Sequence, residues 1–238
     1  QEILTISNHI LGKNQLSLAK YLFIAAREDD EQLSTHNLQE FLMHVLSRMN
    51  FRRDLHFHTQ TTIDTLDYTG TGLNAGSKVV FAAAGPVKRT LQTDLPTSMQ
   101  LPTMVSEPRL AFPGVMTMRM DAYSTPEQTA ADVLALEDGL GGADLSGIAL
   151  IVLCDDSAFT ALNINNFVWV TFTRSNPAAD IFGIRSATQD KHWGCEGPII
   201  IDARKKPHHA PELIKDPVVE ANTTRVLEAI KTRTGKTA

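Results

Sequence analysis

The sequence predicts an α/β protein made of two tandem, related units that contain βαβ segments, with mixed, partly parallel sheets. Three observations support this fold class. Residues 16–54 recur weakly at residues 142–180 with a constant offset of 126 positions. A short apolar run precedes an acidic turn in both copies, and a helical or helix-aligned segment follows each turn. A shared order of this kind indicates that one supersecondary unit is used twice.

Identical residues at equivalent positions carry the repeat. The pairs are Asp30/Asp156, Asn37/Asn163, Phe41/Phe167, Arg48/Arg174, Asn50/Asn176 and Asp54/Asp180. Because apolar positions also agree between these pairs, we expect each copy to adopt the same local fold.

The first copy predicts a strand, a helix and a second strand. Residues 20–26 are a short apolar run suited to a buried strand, and residues 54–59 alternate as a strand does. Between them, residues 36–49 carry apolar side chains at helical spacing, with Ser34 or Thr35 available as the cap. A right-handed βαβ crossover would make the two strands a parallel pair.

The second copy repeats this order with one conflict. Residues 148–154 and 180–184 predict strands, but residues 163–173 are rich in β-branched and aromatic side chains. Propensity alone would make residues 163–173 a strand. The aligned segment of the first copy is plainly helical, so we predict a helix here as well.

Further elements surround the two copies. Strands are predicted at residues 78–83, 114–120 and 198–202, and helices at residues 124–136 and 217–231. The first of these helices opens with Ser124-Thr125-Pro126-Glu127 in the manner of a capping box, with Pro126 near its first position.

The predicted organisation is two units joined by a linker. The first unit covers residues 1–84 and is expected to be truncated at its start, and the second covers residues 114–238 with the closing helix. Residues 85–113 are proline-rich and have few periodic apolar positions, so they are predicted to be the linker.

Composition narrows the function classes. The chain has 238 residues, 42% hydrophobic content and a net charge of −5, which argues against a nucleic-acid surface. The sequence contains no run of about 18 apolar residues, so it predicts no membrane-spanning helix. Cys154 and Cys195 lack the spacing of a disulfide framework, which favours a reduced, cytoplasmic protein. Gln1 is preceded by no initiating Met, so we expect a cut or processed start.

Two motifs resemble a known family. Residues 151–156 followed by residues 166–180 look like the C-terminal domain of UbiD-type decarboxylases, whose signature ends in "WA-x-x-TR-x-x-P-x-x-D". Trp169, Thr173, Arg174, Pro177 and Asp180 match it. Residues 65–68 and 76–80 are similar to the family's "LD…GSK-x-G" segment.

The resemblance implies a reversible decarboxylase of aromatic or α,β-unsaturated acids. Such enzymes use prenylated FMN with a divalent metal, Mn or Mg, and often potassium. Their catalytic Glu-Arg-Glu set and most cofactor ligands belong to an earlier split-barrel domain that has no counterpart here. The resemblance therefore implies no catalytic residues, no metal ligands and no cofactor in this fragment. It also implies that this fragment packs against the missing N-terminal region of the same protein. The complete protein is expected to be a homo-oligomer.

Lys20 is the predicted cofactor-binding residue. It resembles the "AK" before the family's core strand, a region that lies near the domain hinge, where a cofactor or substrate contact is conceivable. The competing interpretation is a structural lysine at the entrance of the strand.

Other candidate sites have both a structural and a functional interpretation. The loop 69–76 contains G-x-G-x-x-A, but the residues after it predict a strand, which favours a plain loop over a phosphate site. The acidic pairs at residues 29–30 and 155–156 favour turn and cap chemistry over a metal site. Ion pairs Arg48–Asp54 and Arg174–Asp180 are predicted to brace each copy, with anion binding as the alternative.

A possible metal-ligand group lies near the C-terminus. It comprises His192, Cys195, Glu196, His208 and His209, but its spacing fits no standard zinc pattern. A loop that packs over a neighbouring domain is the favoured interpretation.

Three functions follow from these patterns. The chain is either the C-terminal portion of a UbiD-like decarboxylase that supplies domain closure and an oligomer interface, or a stand-alone assembly or binding module without activity. A nucleotide-binding α/β protein is the third and would require a ligand at residues 70–76. The complete reading frame would distinguish the first function from the second. A split-barrel region with one Arg and two acidic residues upstream of Gln1 would support the decarboxylase, and a start codon just before Gln1 would support the stand-alone module.

Overall fold

The computed structural model describes residues 2–211, 214 and 216–234, and contains a three-stranded sheet, a five-stranded sheet and a two-stranded hairpin. Gln1 and the last residues of the predicted second unit, 235–238, lie outside the described residues. No described helix is both long enough and apolar enough to cross a membrane.

The first half places two helices against a three-stranded sheet. Its helices are α1 (Glu2–Leu11) and α2 (Leu38–Arg48), and its strands are β1 (Tyr21–Ala25), β2 (Leu55–Thr62) and β3 (Ala75–Ala83). The strand order is β1-β3-β2, with β3 parallel to β1 and antiparallel to β2.

The second half contains the larger sheet. Its strands are β4 (Val105–Phe112), β5 (Val115–Met120), β6 (Leu150–Cys154), β7 (Ile181–Gly183) and β10 (Ile199–Asp202), and the hairpin comprises β8 (Ala187–Gln189) and β9 (His192–Gly194). The helices are α3 (Pro126–Leu140), α4 (Ser157–Ala161), α5 (Ile164–Thr173), α6 (Pro177–Asp180) and α7 (Pro217–Thr234).

The same three-strand arrangement occurs in both sheets. The large sheet has the order β4-β5-β6-β10-β7, in which β10 is parallel to β6 and antiparallel to β7. This repeats the order and directions of β1, β3 and β2. The prediction that the first two strands of a copy form a parallel pair is wrong. The later strand β3 or β10 inserts between them, and the second strand runs antiparallel to it.

One hydrophobic core joins the two halves. Leu46 of α2, Phe81 of β3, Val152 of β6 and Phe167 of α5 belong to the same buried cluster. A second cluster lies on the opposite face of the large sheet, where Leu136 of α3 packs against Ile151. The large sheet is therefore covered on both faces, as its almost continuous apolar strands require.

The helix predicted against propensity is confirmed. Residues 164–173 form α5, and Asn163 caps it by accepting a hydrogen bond from the backbone N–H of Asn166 at 2.9 Å. Helix α3 begins at Pro126 within the predicted opening segment 124–127, and its cap is Thr125. Helix α2 is capped by Asn37, so the prediction of Ser34 or Thr35 as the cap is wrong.

The predicted linker contains an unexpected strand. Residues 105–112 form β4, which pairs with β5 at the edge of the large sheet. Its proline and its register shifts are tolerated because an edge strand needs hydrogen bonds on one side only. These features hid the strand from a search for periodicity.

Candidate functional site

An open cleft of about 1090 Å³ lies between the two halves. The first half contributes the loop at residues 64–69, and the second contributes the end of α5 and the segment at residues 205–211. Trp169, Tyr68 and Leu66 line it and are 58%, 55% and 80% exposed. Neighbouring large apolar side chains with this much exposure are typical of a binding surface.

Lys20 lies beneath the first-half wall of the cleft. Its Nζ lies 2.7 Å from Asp67 Oδ2 and donates a hydrogen bond of 2.8 Å to Thr69 Oγ1. Burial lowers the pKa of Lys20, although the hydrogen bond to Asp67 and its negative charge act to raise it. Burial also opposes ionisation of Asp67, but hydrogen bonds from Lys20 and Thr69 leave its pKa below the usual range.

A second buried ammonium lies under the other wall. Lys206 Nζ is 3.3 Å from Asp180 Oδ1 and 3.7 Å from Asp202 Oδ2, and its side chain is 3% exposed. Burial raises the pKa of Asp180, partly offset by Lys206. Arg204 completes the group, with Nε 2.8 Å from Asp202 Oδ1 and NH2 3.0 Å from Oδ2. This bidentate geometry is what allows a guanidinium to be buried.

Buried polar contacts also join the two halves. The hydroxyls of Tyr21 and Ser175 lie 2.7 Å apart, and Ser77 Oγ donates to Asn176 Oδ1. Ser77 Oγ also accepts from the backbone N–H of Ala178 at 2.8 Å. Burial raises the pKa of the Tyr21 phenol, which therefore stays protonated.

The predicted arginine–aspartate braces do not form. Arg174 NH1 instead contacts Asp155 Oδ2 at 3.2 Å, and Asp180 pairs with Lys206. In the first copy, Arg48 donates to the carbonyl of His44. These braces fail because Asp54 and Asp180 fold back to accept backbone N–H groups of their own turns.

His209 has one unpaired buried nitrogen at the cleft. Its Nδ1 accepts a hydrogen bond of 3.2 Å from the backbone N–H of Lys206, whereas its Nε2 is buried without a partner. Burial, reinforced by the Lys206 charge, lowers the pKa of His209 to about 4. At neutral pH the ring is therefore neutral and carries its proton on Nε2.

The remaining candidates are not brought together. Among the described residues, no group of three or more His, Cys, Asp or Glu side chains could hold a metal ion. His192 packs on His56 in the hairpin region, whereas His209 lines the cleft. Both cysteines are free and buried. The glycine-containing loop runs directly into β3 without a helix, as the sequence indicated.

The acidic turns make the contacts of turns and caps. Asp29 accepts from the backbone N–H of Gly85 at 2.7 Å, and Asp156 caps α4 by accepting from Phe159 at 2.8 Å. Asp155 contacts Arg174 and accepts from the backbone N–H of Lys205, two residues that line the cleft.

Sequence reasoning missed the buried charges around Lys206. Asp202, Arg204 and Lys206 follow the apolar strand β10 directly. Charged residues at the carboxyl end of a buried strand are a recognisable signal, because α/β folds place their sites at this edge.

The chain has relatives among known proteins. Residues 1–83 match the family model of the 3-octaprenyl-4-hydroxybenzoate carboxy-lyase C-terminal domain. These residues are therefore similar in sequence to that C-terminal domain. Over 219 residues the chain is 34% identical to an uncharacterized protein of Chlamydia caviae, covering 91% of this chain and 35% of that protein.

Two further likenesses are to proteins whose names state an activity. A Chlamydia pneumoniae protein, named as one of the subunits of a 4-hydroxybenzoate decarboxylase, is 32% identical over 219 residues, covering 91% of this chain and 35% of that protein. A looser likeness, with a TM-score of 0.34 and 12% identity, is to an evolved dimeric form of the UbiD-class enzyme HmfF from Pelotomaculum thermopropionicum in complex with prFMN. It covers 68% of this chain and 40% of that one. The chain thus spans about a third of the length of the curated relatives it matches.

The cleft does not suit a flavin phosphate. Lys20 and Lys206 both lie within ion-pair distance of carboxylates, and Arg174 contacts Asp155. These cations therefore offer no uncompensated charge to a phosphate.

Proposed function

We propose that the chain is the C-terminal portion of a UbiD-like decarboxylase that acts on aromatic or α,β-unsaturated acids. The observation that carries the proposal is the family match of residues 1–83, together with about one-third identity to the chlamydial relatives across 91% of the chain. Prenylated FMN, with Mn or Mg and potassium, would be bound by the missing N-terminal split-barrel region in a cytoplasmic, homo-oligomeric enzyme.

The proposed contribution of this chain is closure and assembly, without catalysis of its own. The tandem units 1–84 and 114–238 would act as one block, because their buried residues share a core. The exposed apolar rim of the cleft supports a surface against which another part of the protein closes. Such closure excludes water from a reacting centre.

The decarboxylase proposal is tested by CO₂ exchange. The full-length protein, co-produced with a prenyl-flavin synthase, is incubated with labelled CO₂ and a panel of aromatic acids that includes 4-hydroxybenzoate. We expect label in at least one acid with the full-length protein and none with the isolated 238-residue chain. A full-length protein that is colourless and inert would contradict the proposal and favour the stand-alone module.

The closure role is tested by a matched pair of exposed side chains. Trp169→Ala removes a rim residue, whereas Leu134→Ala removes a residue of α3, 63% exposed, that is not among the residues lining the cleft. We expect Trp169→Ala to lower kcat/KM of the full-length enzyme about tenfold, equivalent to about 1.4 kcal/mol. If the two variants change kcat/KM equally, the cleft has no part in the proposed closure.

The cofactor role of Lys20 has its own test. Because Lys20 is held by Asp67 and Thr69, a contact with the cofactor would require it to exchange partners. Under that hypothesis, Lys20→Met weakens retention of the cofactor by the full-length enzyme, and Lys78→Met, which removes another buried lysine, does not. Equal retention in both variants would make Lys20 purely structural.

A further inference from the structure

Strand β1 lies at the edge of the three-stranded sheet with one side open. The strand order is β1-β3-β2, and among the described residues no strand pairs with the other side of β1. Val79 N–H of β3 donates to the carbonyl of Lys20 at 3.0 Å. Alternate residues of a strand bond to the same neighbour, so the backbone N–H and C=O groups of Tyr21, Phe23 and Ala25 point to the open side.

The second copy contains the counterpart of β1 with both sides covered. This counterpart is β6, which lies between β10 and β5 and is parallel to both. The two strands are alike in sequence character, since each consists of five uncharged, largely apolar residues. All five residues of β6 are buried, whereas all five residues of β1 are only half-buried. The difference coincides with the neighbour β5, which β6 has and β1 does not have among the described strands.

The sequence of β1 lacks the features that protect an edge strand. Edge strand β4 carries Glu107, Pro108 and Arg109 and has shifts in its register. Edge strand β2 has a polar second half and a register shift between His58 and Thr61, and edge strand β7 is only three residues long. Charges, proline, irregular register and short length all keep an edge from pairing with another strand. Strand β1 has no charge, no proline and an unbroken register with β3, so its sequence is typical of an internal strand.

The order of elements in the repeat indicates which strand would complete the sheet. At the offset of 126 positions, helix α1 falls within helix α3, and α1 lies against β1 and β3. In the second copy, β5 comes directly before α3 and runs parallel to β6. The counterpart of β5 would therefore precede α1 and run parallel to β1. The curated relatives are about three times as long as the part that this chain matches, so a protein of that size has further segments to supply such a strand.

We propose that the open side of β1 pairs with a parallel, mainly apolar strand of the same protein that precedes α1 and lies outside these 238 residues. Its backbone would bond to Tyr21, Phe23 and Ala25 and extend the small sheet as β5 extends the large one. The apolar character follows from β5, in which all residues except Arg119 are buried. The proposal rests on the proposed function only in taking the chain as part of a longer protein, and it involves neither cofactor nor activity.

Amide hydrogen exchange at single-residue resolution tests the proposal. The full-length protein and the 238-residue chain are compared without cofactor or substrate. We expect the amides of Phe23 and Ala25 to exchange at least about 100-fold more slowly in the full-length protein, because a paired strand exchanges only when it opens. The amide of Ile24 faces β3 and should be slow in both proteins.

Two outcomes of the exchange experiment would overturn the proposal. One is an equal rate for Phe23 and Ala25 in the two proteins. The other is slow exchange of these amides already in the 238-residue chain, in which case a dimer in analytical ultracentrifugation would identify a second copy as the occupant. Slow exchange in a full-length protein that is enzymatically inert would support the pairing and contradict only the decarboxylase.

Two neighbouring alanines distinguish strand pairing from mere coverage of β1. Ala25→Pro removes an N–H that points to the open side, whereas Ala26→Pro removes one that donates to the Ala83 carbonyl at 3.3 Å. Because an open edge tolerates proline, we expect Ala25→Pro to lower the Tm of the chain by less than about 1 °C, and that of the full-length protein by about 2–4 °C. Ala26→Pro should lower both. Equal shifts from Ala25→Pro in the two proteins would refute the pairing, and if this variant does not fold, the exchange rates decide.

Discussion

The turn at Asn50–Asp54 in the first half and the turn at Asn176–Asp180 in the second share their hydrogen bonds but differ in their surroundings. In both, the aspartate Oδ2 accepts from the asparagine backbone N–H, at 2.8 Å and 2.7 Å. In both, the asparagine carbonyl accepts from the aspartate N–H. A common ancestral unit would explain why the identical residues have identical local roles.

The difference lies in the other oxygen of each aspartate. Asp54 Oδ1 receives Arg53 Nε at 2.6 Å, and that arginine is 66% exposed. Asp180 Oδ1 faces Lys206 Nζ, which is 3% exposed and also contacts Asp202. The comparison teaches that one scaffold element can be a local brace in one copy and part of a buried charge network under the cleft in the other.

The largest expected effect comes from removing the two aspartates separately. Asp180→Ala leaves the buried ammonium of Lys206 with the more distant Asp202 as its remaining carboxylate among the described residues. This change should cost about 3–5 kcal/mol, the range for breaking a buried pair. Asp54→Ala leaves a backbone N–H unsatisfied and loses the contact with an exposed arginine, which should cost about 1–3 kcal/mol. Urea unfolding measures both. If Asp180→Ala costs no more unfolding free energy than Asp54→Ala, the two turns do not differ in the way described.

The pH dependence of stability should carry the signature of His209. Its folded pKa of about 4 lies below the unfolded value of 6.5. The unfolded chain therefore binds a proton first, and the stability that the neutral ring contributes above pH 6.5 is lost progressively as the pH falls toward about 4. His209→Gln should flatten the curve of unfolding free energy in this window. An unchanged slope in that variant would contradict the assigned burial.

His56 in the first half should change the pH dependence of stability in the same direction. Burial lowers its pKa, helped by the neighbouring His192. Its neutral form stabilises the fold above pH 6.5, and this contribution is lost on acidification through the lowered pKa. His56→Gln serves as the first-half counterpart in the same titration. A steeper slope in this variant would show that the ring is stabilised when protonated.

The smallest effect should separate the two helix caps. Asn163 accepts from Asn166 N at 2.9 Å, whereas Asn37 accepts from Glu40 N at 3.4 Å, near the outer limit for a hydrogen bond. We expect about 1 kcal/mol for Asn163→Ala and less for Asn37→Ala, measured by thermal unfolding. The reverse order would show that the Asn37 contact with the Glu40 carboxylate matters more than the backbone cap.

The sequence predicted the elements better than their pairing. The alignment of Phe41 with Phe167 identified α5 as a helix against its own propensity, because a repeat reports tertiary context that propensity ignores. The strand order could not be derived in the same way. A crossover long enough for a parallel pair says nothing about a later strand inserting between the two, as β3 does.

The site was predicted only in part for a similar reason. Lys20 was singled out from the sequence, and the structure places it beside the cleft in a buried ion pair. The charges of Asp180 and Lys206 act on Lys20 from far along the chain, so no local pattern reports them. The failure of the Arg174–Asp180 brace has the same origin, since backbone groups and Lys206 compete for that carboxylate.

A pair of double-mutant cycles tests most directly whether the shared turn has two different roles. One cycle combines Asp180→Ala with Lys206→Met, and the other combines Asp54→Ala with Arg53→Met, with unfolding free energies from urea titration. We predict a coupling of about 1.5 kcal/mol or more for the buried pair and about 0.5 kcal/mol or less for the exposed one. Equal couplings in the two cycles would contradict the account.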